Sequence, residues 1–198
     1  RPGAIVNCAA YTKVDACETN REAARHVNSE GPRCLAVAAR EIGALLIHIS
    51  TDYVFDGRRP PPEPYRETDP TGPLSQYGVT KLEGEQAIQS VGGRYAILRT
   101  AWLYGVHGQN FPKTILRKAL AEPTRALRVV NDQYGSPTWS WRLACQIDAV
   151  IARGGQGVYH ATAEGCCTWY EFADHFLRCM GIPYRVEPCT TAEYPTPA

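Results

Sequence analysis

The chain has 198 residues, with 21 Lys and Arg against 20 Asp and Glu, a formal net charge of +1. That balance leaves no electrostatic footprint for nucleic acid or an anionic membrane surface, and no apolar run approaches the roughly 18–20 residues a membrane span needs. Apolar residues at 44% and charged residues at 21% suit a core-forming globular chain of one domain, or one and a fraction.

In chain order, residues 4–9 read as a short buried strand. Residues 15–40 are helical in pattern, with apolar positions at Val27, Leu35, Val37 and Ala38. Pro32 marks a break or a first-turn position, and Gly43 stands where a helix-ending glycine would. Residues 44–50 form a near-continuous apolar run of strand length, the kind covered on both faces in a parallel sheet. Residues 57–73 hold six prolines and can be neither helix nor central strand. A helix over 76–90 is broken by Gly92-Gly93. Strands follow at 95–99, 127–130 and 157–160, and helices at 111–121, 141–152 and 169–180. Alternation of this kind predicts an α/β fold with a parallel sheet and right-handed crossovers. Ligands bind such sheets beyond the carboxyl ends of the strands, so residues 8–15, 50–56 and 100–110 are the segments to examine.

The eight cysteines do not have the spacing of a disulfide framework or a zinc site. Cys8, Cys34 and Cys145 lie in apolar segments, Cys166 and Cys167 are adjacent, and no C-x-x-C occurs. Buried reduced thiols are expected, and with them the cytoplasm. His175 and Cys179 stand four apart on a helix, but no second ligand pair accompanies them, and no metal site is expected.

Tyr77-Gly78-Val79-Thr80-Lys81 puts a phenol and an amine four residues apart, on one helix face with Cβ atoms about 5–6 Å apart. An ammonium beside a phenol favours the phenolate and lowers the tyrosine pKa from its reference near 10. A tyrosine so tuned can exchange a proton with a carbonyl or alcohol oxygen near neutral pH. Ser50-Thr51 supplies hydroxyls directly after a buried strand, where one can donate to the same oxygen. Gly78 and Gly84 keep the helix slim for a close neighbour. Trp102, just past a third strand, reads either as core packing or as a flat apolar wall for a sugar or base.

The order of these features resembles the extended short-chain dehydrogenase/reductase superfamily: a strand ending Asn7-Cys8-Ala9-Ala10, a strand ending Ser50-Thr51, then Tyr77-x-x-x-Lys81, then Leu98-Arg99. Finer stretches are similar to its reductases of nucleotide-linked 4-keto sugars. They are residues 8–15, 50–57, 65–70, 73–78, 131–138 and 194–198. The resemblance implies a Rossmann-like doubly wound sheet, with a partial dinucleotide-binding domain over 1–160, a substrate-side insertion around 106–132, and part of a C-terminal substrate-binding subdomain over 161–198. It implies Tyr77 as general acid for the C4 ketone oxygen of dTDP-4-dehydro-6-deoxy-L-mannose, Lys81 as the group that tunes it and holds the nicotinamide ribose, and Thr51 as the hydroxyl completing the triad. Ala9, Ala10, Tyr11, Thr12 and Ile49, with Tyr77 and Lys81, match positions lining NADPH or NADH. Thr51, Asp52, Tyr53, Trp102 and Asn110 match the substrate side. Gln133 and Gly135 are left to a structural loop. The implied partners are a nucleotide sugar and, as in some members, a second copy of the chain bridged by Mg2+, although the bridging carboxylates cannot be placed here.

Departures from the pattern are also legible. No G-x-G-x-x-G or G-x-x-G-x-x-G is present, and Gly154-Gly155-Gln156-Gly157 precedes a strand rather than a helix. Roughly 50 residues of the superfamily's front, more than one ~30-residue βαβ unit, have no counterpart, so a partial chain is expected. The Asp-Glu pair that dehydratases use after the Thr is incomplete, because Tyr53 follows Asp52. A 4-epimerase and a non-catalytic regulatory subunit on this fold remain as alternatives.

Overall fold

The structure, a computed structural model, describes residues 1–61 and 63–195. Thr196 to Ala198, the end of the 194–198 stretch, lie outside the described residues. The elements in chain order are β1 (Ala4–Asn7), α1 (Val14–Cys17), α2 (Arg21–Arg25), a π-helical turn (His26–Glu30), α3 (Gly31–Ile42), β2 (Leu45–Thr51), a 3₁₀ turn (Asp52–Val54), α4 (Gln76–Val91), β3 (Tyr95–Thr100), β4 (Leu103–Tyr104), α5 (Phe111–Ala121), β5 (Leu127–Val130), β6 (Tyr134–Gly135), β7 (Thr138–Trp139), α6 (Ser140–Arg153), β8 (Gly157–His160), β9 (Cys167–Thr168), α7 (Trp169–Cys179) and β10 (Val186–Cys189). They fall into two units. Among the described residues, unit 1 holds Arg1–Thr100 and Leu143–Ala161, and unit 2 holds Ala101–Arg142 and residues 162–195.

Unit 1 is built on a four-stranded sheet in the order β1-β2-β3-β8, with every neighbouring pair parallel. The apolar run of β2 divides between the two faces by its period of two. Leu46 joins Ala36, Ala39, Ile88 and Ile97 on the face covered by α3 and α4. Leu45 and Ile47 join Ala96, Leu98 and Leu143 on the other face. Burial on both faces is why this strand carries no polar alternation.

The 15–40 helix is not one piece. It is interrupted by the π turn, in which Asn28 and Ser29 are buried, and Pro32 takes the first turn of α3. Gly43 ends α3 in the left-handed conformation (φ 71°). In α3 the buried positions are Pro32, Ala36 and Ala39, a single stripe, and Cys34 lies off it, exposed. Cys145 is two residues past buried Leu143 in α6 and is exposed too, as is Cys8 beyond the end of β1. The expectation of buried thiols fails at Cys34 and Cys145 because helical periodicity, not local composition, decides which side faces the core, and at Cys8 because it lies past the end of its strand. Cys17 and Cys189 are buried.

Unit 2 has its own core of Ile115, Ala119, Val129, Ala173 and Leu177. The strand at Leu127–Val130 does not join the central sheet. It pairs in parallel with β10, a partner whose Pro-containing sequence (Pro188) hid it as a strand. Thr168 and Glu171 form a reciprocal capping box at the start of α7.

Candidate active site

Two periodicities meet in unit 1. From β2, alternate residues Leu46, His48 and Ser50 meet α4. From α4, Tyr77, Lys81 and Glu85 recur every fourth residue. Glu85 accepts from Ser50 Oγ (2.5 Å) and from Arg99 Nε (3.1 Å) and Nη2 (2.7 Å), and Arg99 also donates to the Glu67 carbonyl (3.3 Å). All three partners are buried. A buried carboxylate is tolerated only with such pairing, and here it pins α4 to the ends of β2 and β3.

Two glycines allow the approach. A Cβ on Gly78 would lie 2.2 Å from the Tyr53 carbonyl oxygen, and one on Gly84 would lie 2.2 Å from the Asn28 carbonyl oxygen. Slim positions on this helix were expected, and these contacts are the reason for them. Ser75 caps α4 by accepting from the Gly78 N–H (3.2 Å). Tyr77 therefore sits in the first turn, over the 3₁₀ turn that follows β2.

Thr51 closes the group. Its hydroxyl donates to Asp52 Oδ1 (3.1 Å). It also accepts from the Tyr53 N–H (3.3 Å). The Tyr53 ring meets Tyr77 edge to face at 5.5 Å. Burial pushes the Tyr77 phenol up to about 12, and Asp52 and Tyr53 add to that, while the Thr51 hydroxyl opposes it. Burial also raises the Asp52 carboxyl to about 6 and pulls Lys81 down to about 8.

The expected lowering of the phenol by the neighbouring amine is therefore corrected. Lys81 Nζ lies 2.7 Å from the Ile49 carbonyl oxygen, to which it donates, and 3.3 Å from His48 Nε2. Its first partners are on β2, and loss of water dominates the phenol.

The residues expected to line a dinucleotide cluster at the strand ends. Ala9 is exposed, Ala10 and Tyr11 are half-buried and Thr12 is exposed, while Ile49 is the one residue of β2 that is not fully buried. Tyr11 is clamped through its backbone, its N–H donating to Asn28 Oδ1 (2.8 Å) and its carbonyl accepting from Asn28 Nδ2 (3.2 Å). Asn28 Nδ2 also donates to Thr80 Oγ1 (3.1 Å). Small side chains beyond β1, an open Ile49 and a lysine with N–H capacity beyond its two present partners fit a nicotinamide riboside.

Trp102 and Asn110 belong to unit 2. Trp102 has a positive φ of 46° and stacks on Trp169 with centroids 3.4 Å apart. A Cβ on Gly135 would lie 2.2 Å from its ring, so Gly135 serves this packing. Asn110 caps α5, accepting from the Lys113 N–H (3.2 Å) and donating to the Gly105 carbonyl (2.7 Å). Gln133 bridges Trp169 and Thr191. Cys179 Sγ lies 3.5 Å from His175 Nε2, and among the described residues no three His, Cys, Asp or Glu side chains gather as a metal site would require.

Sequence reasoning passed over Asn28, His48 and Glu85, and named Arg99 only as part of the resemblance, without a role. His48 was visible as the lone ring in an apolar run, and Glu85 as the next step of the Tyr77–Lys81 stripe. Asn28 had no signal, because a π turn has none of its own in the sequence.

A parallel sheet with hydroxyl, phenol and amine gathered beyond its strand ends defines the class of the extended short-chain dehydrogenase/reductases. A 22% identical UDP-glucose 4-epimerase from Thermus thermophilus shares the fold, with a TM-score of 0.80 over 96% of this chain and 66% of that one. The chain belongs to the RmlD substrate binding domain family, whose profile matches residues 1–198. It is 40% identical to a dTDP-4-dehydrorhamnose reductase of Burkholderia thailandensis, covering 100% of this chain and 71% of that protein. It is 45% identical to another from Streptomyces griseus, covering 100% and 66%. A Bacillus anthracis dTDP-4-dehydrorhamnose reductase solved in complex with NADP superposes with a TM-score of 0.94 at 42% identity, covering 100% of this chain and 69% of that one. The chain thus spans about two thirds of the length of these relatives.

Proposed function

We propose that the protein reduces the C4 ketone of dTDP-4-dehydro-6-deoxy-L-mannose, giving dTDP-L-rhamnose, with NADPH as reductant. The observation that carries this reading is the placement of the Thr51 hydroxyl at the end of β2 and of Tyr77 in the first turn of α4, packed on Tyr53 of the 3₁₀ turn that follows Thr51. A phenol and a hydroxyl at one strand end are the groups that a reacting carbonyl oxygen needs within hydrogen-bond reach. The names of the 40–45% identical relatives support the substrate, and the NADP-bound neighbour supports the cofactor.

Lys81, Ile49 and the residues from Ala9 to Thr12 would hold the dinucleotide, which when bound supplies the hydride. Tyr77 gives its phenolic proton to the oxygen as negative charge develops there, and Thr51 donates a hydrogen bond to the same oxygen. A high phenol pKa keeps Tyr77 protonated, as an acid must be before transfer. Buried Lys81 orients the ribose side, and Asp52 and Tyr53 face the sugar nucleotide. Convergence of proton and hydride on one carbonyl requires both to be oriented together.

No described helix is long and apolar enough to cross a membrane. A cytoplasmic site of action belongs to the proposal, because sugar nucleotides and reduced nicotinamides meet there. So does a homodimer, which light scattering would detect.

The test supplies dTDP-4-dehydro-6-deoxy-L-mannose and NADPH to the full-length protein. NADPH is expected to be consumed in step with product. Turnover of the sugar without net consumption would instead establish an epimerase, and no turnover would leave only a binding subunit.

A further inference from the structure

The hydroxyl of Thr100 does nothing for the fold. Thr100 is the last residue of β3 and is 8% exposed. Its Oγ1 is buried with no hydrogen-bond partner among the described residues. A hydroxyl buried in this way is a cost to stability, and an apolar group of the same shape in its place is neutral or stabilising. Packing on a strand asks only for a β-branched side chain here, which valine supplies equally well.

Its place in the sheet suggests what the hydroxyl is for. Thr100 is the register partner of Thr51, one strand spacing of about 5 Å away. Side chains alternate along a strand, so Ala96, Leu98 and Thr100 of β3 share a face with Ile47, Ile49 and Thr51 of β2. Lower on that face the sheet is closed, because Ile47, Ala96 and Leu98 form one apolar cluster with Leu143 and Ala161. Toward the strand ends it changes character. Ile49 is only half-buried, and beyond it stand two hydroxyls side by side. That of Thr51 is engaged with Asp52 Oδ1 and the Tyr53 N–H, and that of Thr100 is free.

We propose that Thr100 is a cofactor-binding residue, whose hydroxyl hydrogen-bonds the carboxamide of the nicotinamide and so sets which way round the ring lies. The proposal rests on the reading of this site as an NADPH-dependent reductase. The nicotinamide ring carries one polar substituent, the carboxamide, on the carbon next to the one that gives up hydride. That reacting carbon must approach the carbonyl whose oxygen Thr51 meets, and this brings the carboxamide to the neighbourhood of Thr51. Ile49, diagonal to Thr100 on the same face, offers apolar surface to the ring itself. A carboxamide both donates and accepts, and so does a hydroxyl. Their pairing satisfies two groups that burial would otherwise leave unpaired. A hydroxyl of the sugar offers similar chemistry, and the experiment separates the two sources.

The test compares the full-length native protein with Thr100→Val and Thr100→Ser. Without ligand, the urea midpoint of Thr100→Val is expected to equal or exceed the native one, because an unpaired hydroxyl has been removed. NADPH fluorescence is expected to show its Kd raised about tenfold in Thr100→Val, the loss of about one neutral hydrogen bond with its partner left unpaired. Thr100→Ser, which keeps the hydroxyl, should bind nearly as the native protein does. Affinity for 2′-phospho-ADP-ribose, which lacks the nicotinamide, and for dTDP-L-rhamnose should be the same in all three. A lower urea midpoint for Thr100→Val would give the hydroxyl a structural partner and overturn the assignment. So would an unchanged NADPH Kd, or a loss that falls on dTDP-L-rhamnose instead. A native protein that binds no NADPH would overturn the reductase reading itself, and the role of Thr100 with it.

Discussion

Ser50 Oγ donates to Glu85 Oε1 across 2.5 Å, and through this contact the residue next to Thr51 is tied to the helix that carries Tyr77 and Lys81. The hydroxyl and phenol of the site are therefore held by one buried network that includes Arg99. Removal of Glu85 leaves Arg99 buried without its counter-charge. Glu85→Ala is expected to destabilise the protein by about 3–5 kcal/mol, as broken buried pairs do. Urea denaturation reads this directly, and a change below about 1 kcal/mol would contradict the role.

Tyr77→Phe tests the acid. The variant keeps the ring packed against Tyr53 and removes only the hydroxyl. In the full-length protein, turnover is expected to fall by about 10²–10⁴, the usual contribution of a general acid, with nucleotide binding retained. Unchanged turnover would remove Tyr77 from the reaction.

Gly78 offers a steric test. A methyl there meets the Tyr53 carbonyl oxygen at 2.2 Å and Pro73 Cβ at 2.9 Å, and the backbone must shift to admit it. Gly78→Ala is expected to cost about 1–3 kcal/mol and to lower kcat by displacing Tyr77. Gly3→Ala, with nothing within 4 Å of its Cβ, serves as the control and should be silent in both assays.

Asp52 predicts a pH dependence of stability. Its folded pKa is raised to about 6 from an ordinary 3.8. Between those values the folded state holds a proton that the unfolded chain has released, so stability falls as pH rises through this window. Asp52→Asn abolishes that penalty. Denaturation midpoints of the variant should exceed those of the native protein above pH 6, and the difference should shrink toward pH 4. An equal difference at both ends would show that Asp52 ionises normally.

The sequence by itself determined the alternation of strands and helices, the two-faced burial of the 44–50 run, the Tyr77–Lys81 pair on one helix face and the hydroxyls at the end of that run. Each follows from a period or a spacing within a few residues, which local chemistry enforces. Tertiary structure alone decided that Lys81 spends its hydrogen bonds on Ile49 and His48, that the phenol is raised rather than lowered, and that Asn28 clamps Tyr11 from a π turn. It also decided that Cys8, Cys34 and Cys145 face outward and that Leu127–Val130 pairs with β10. Those outcomes depend on which groups from distant parts of the chain exclude water from one another, and neither spacing nor composition encodes that.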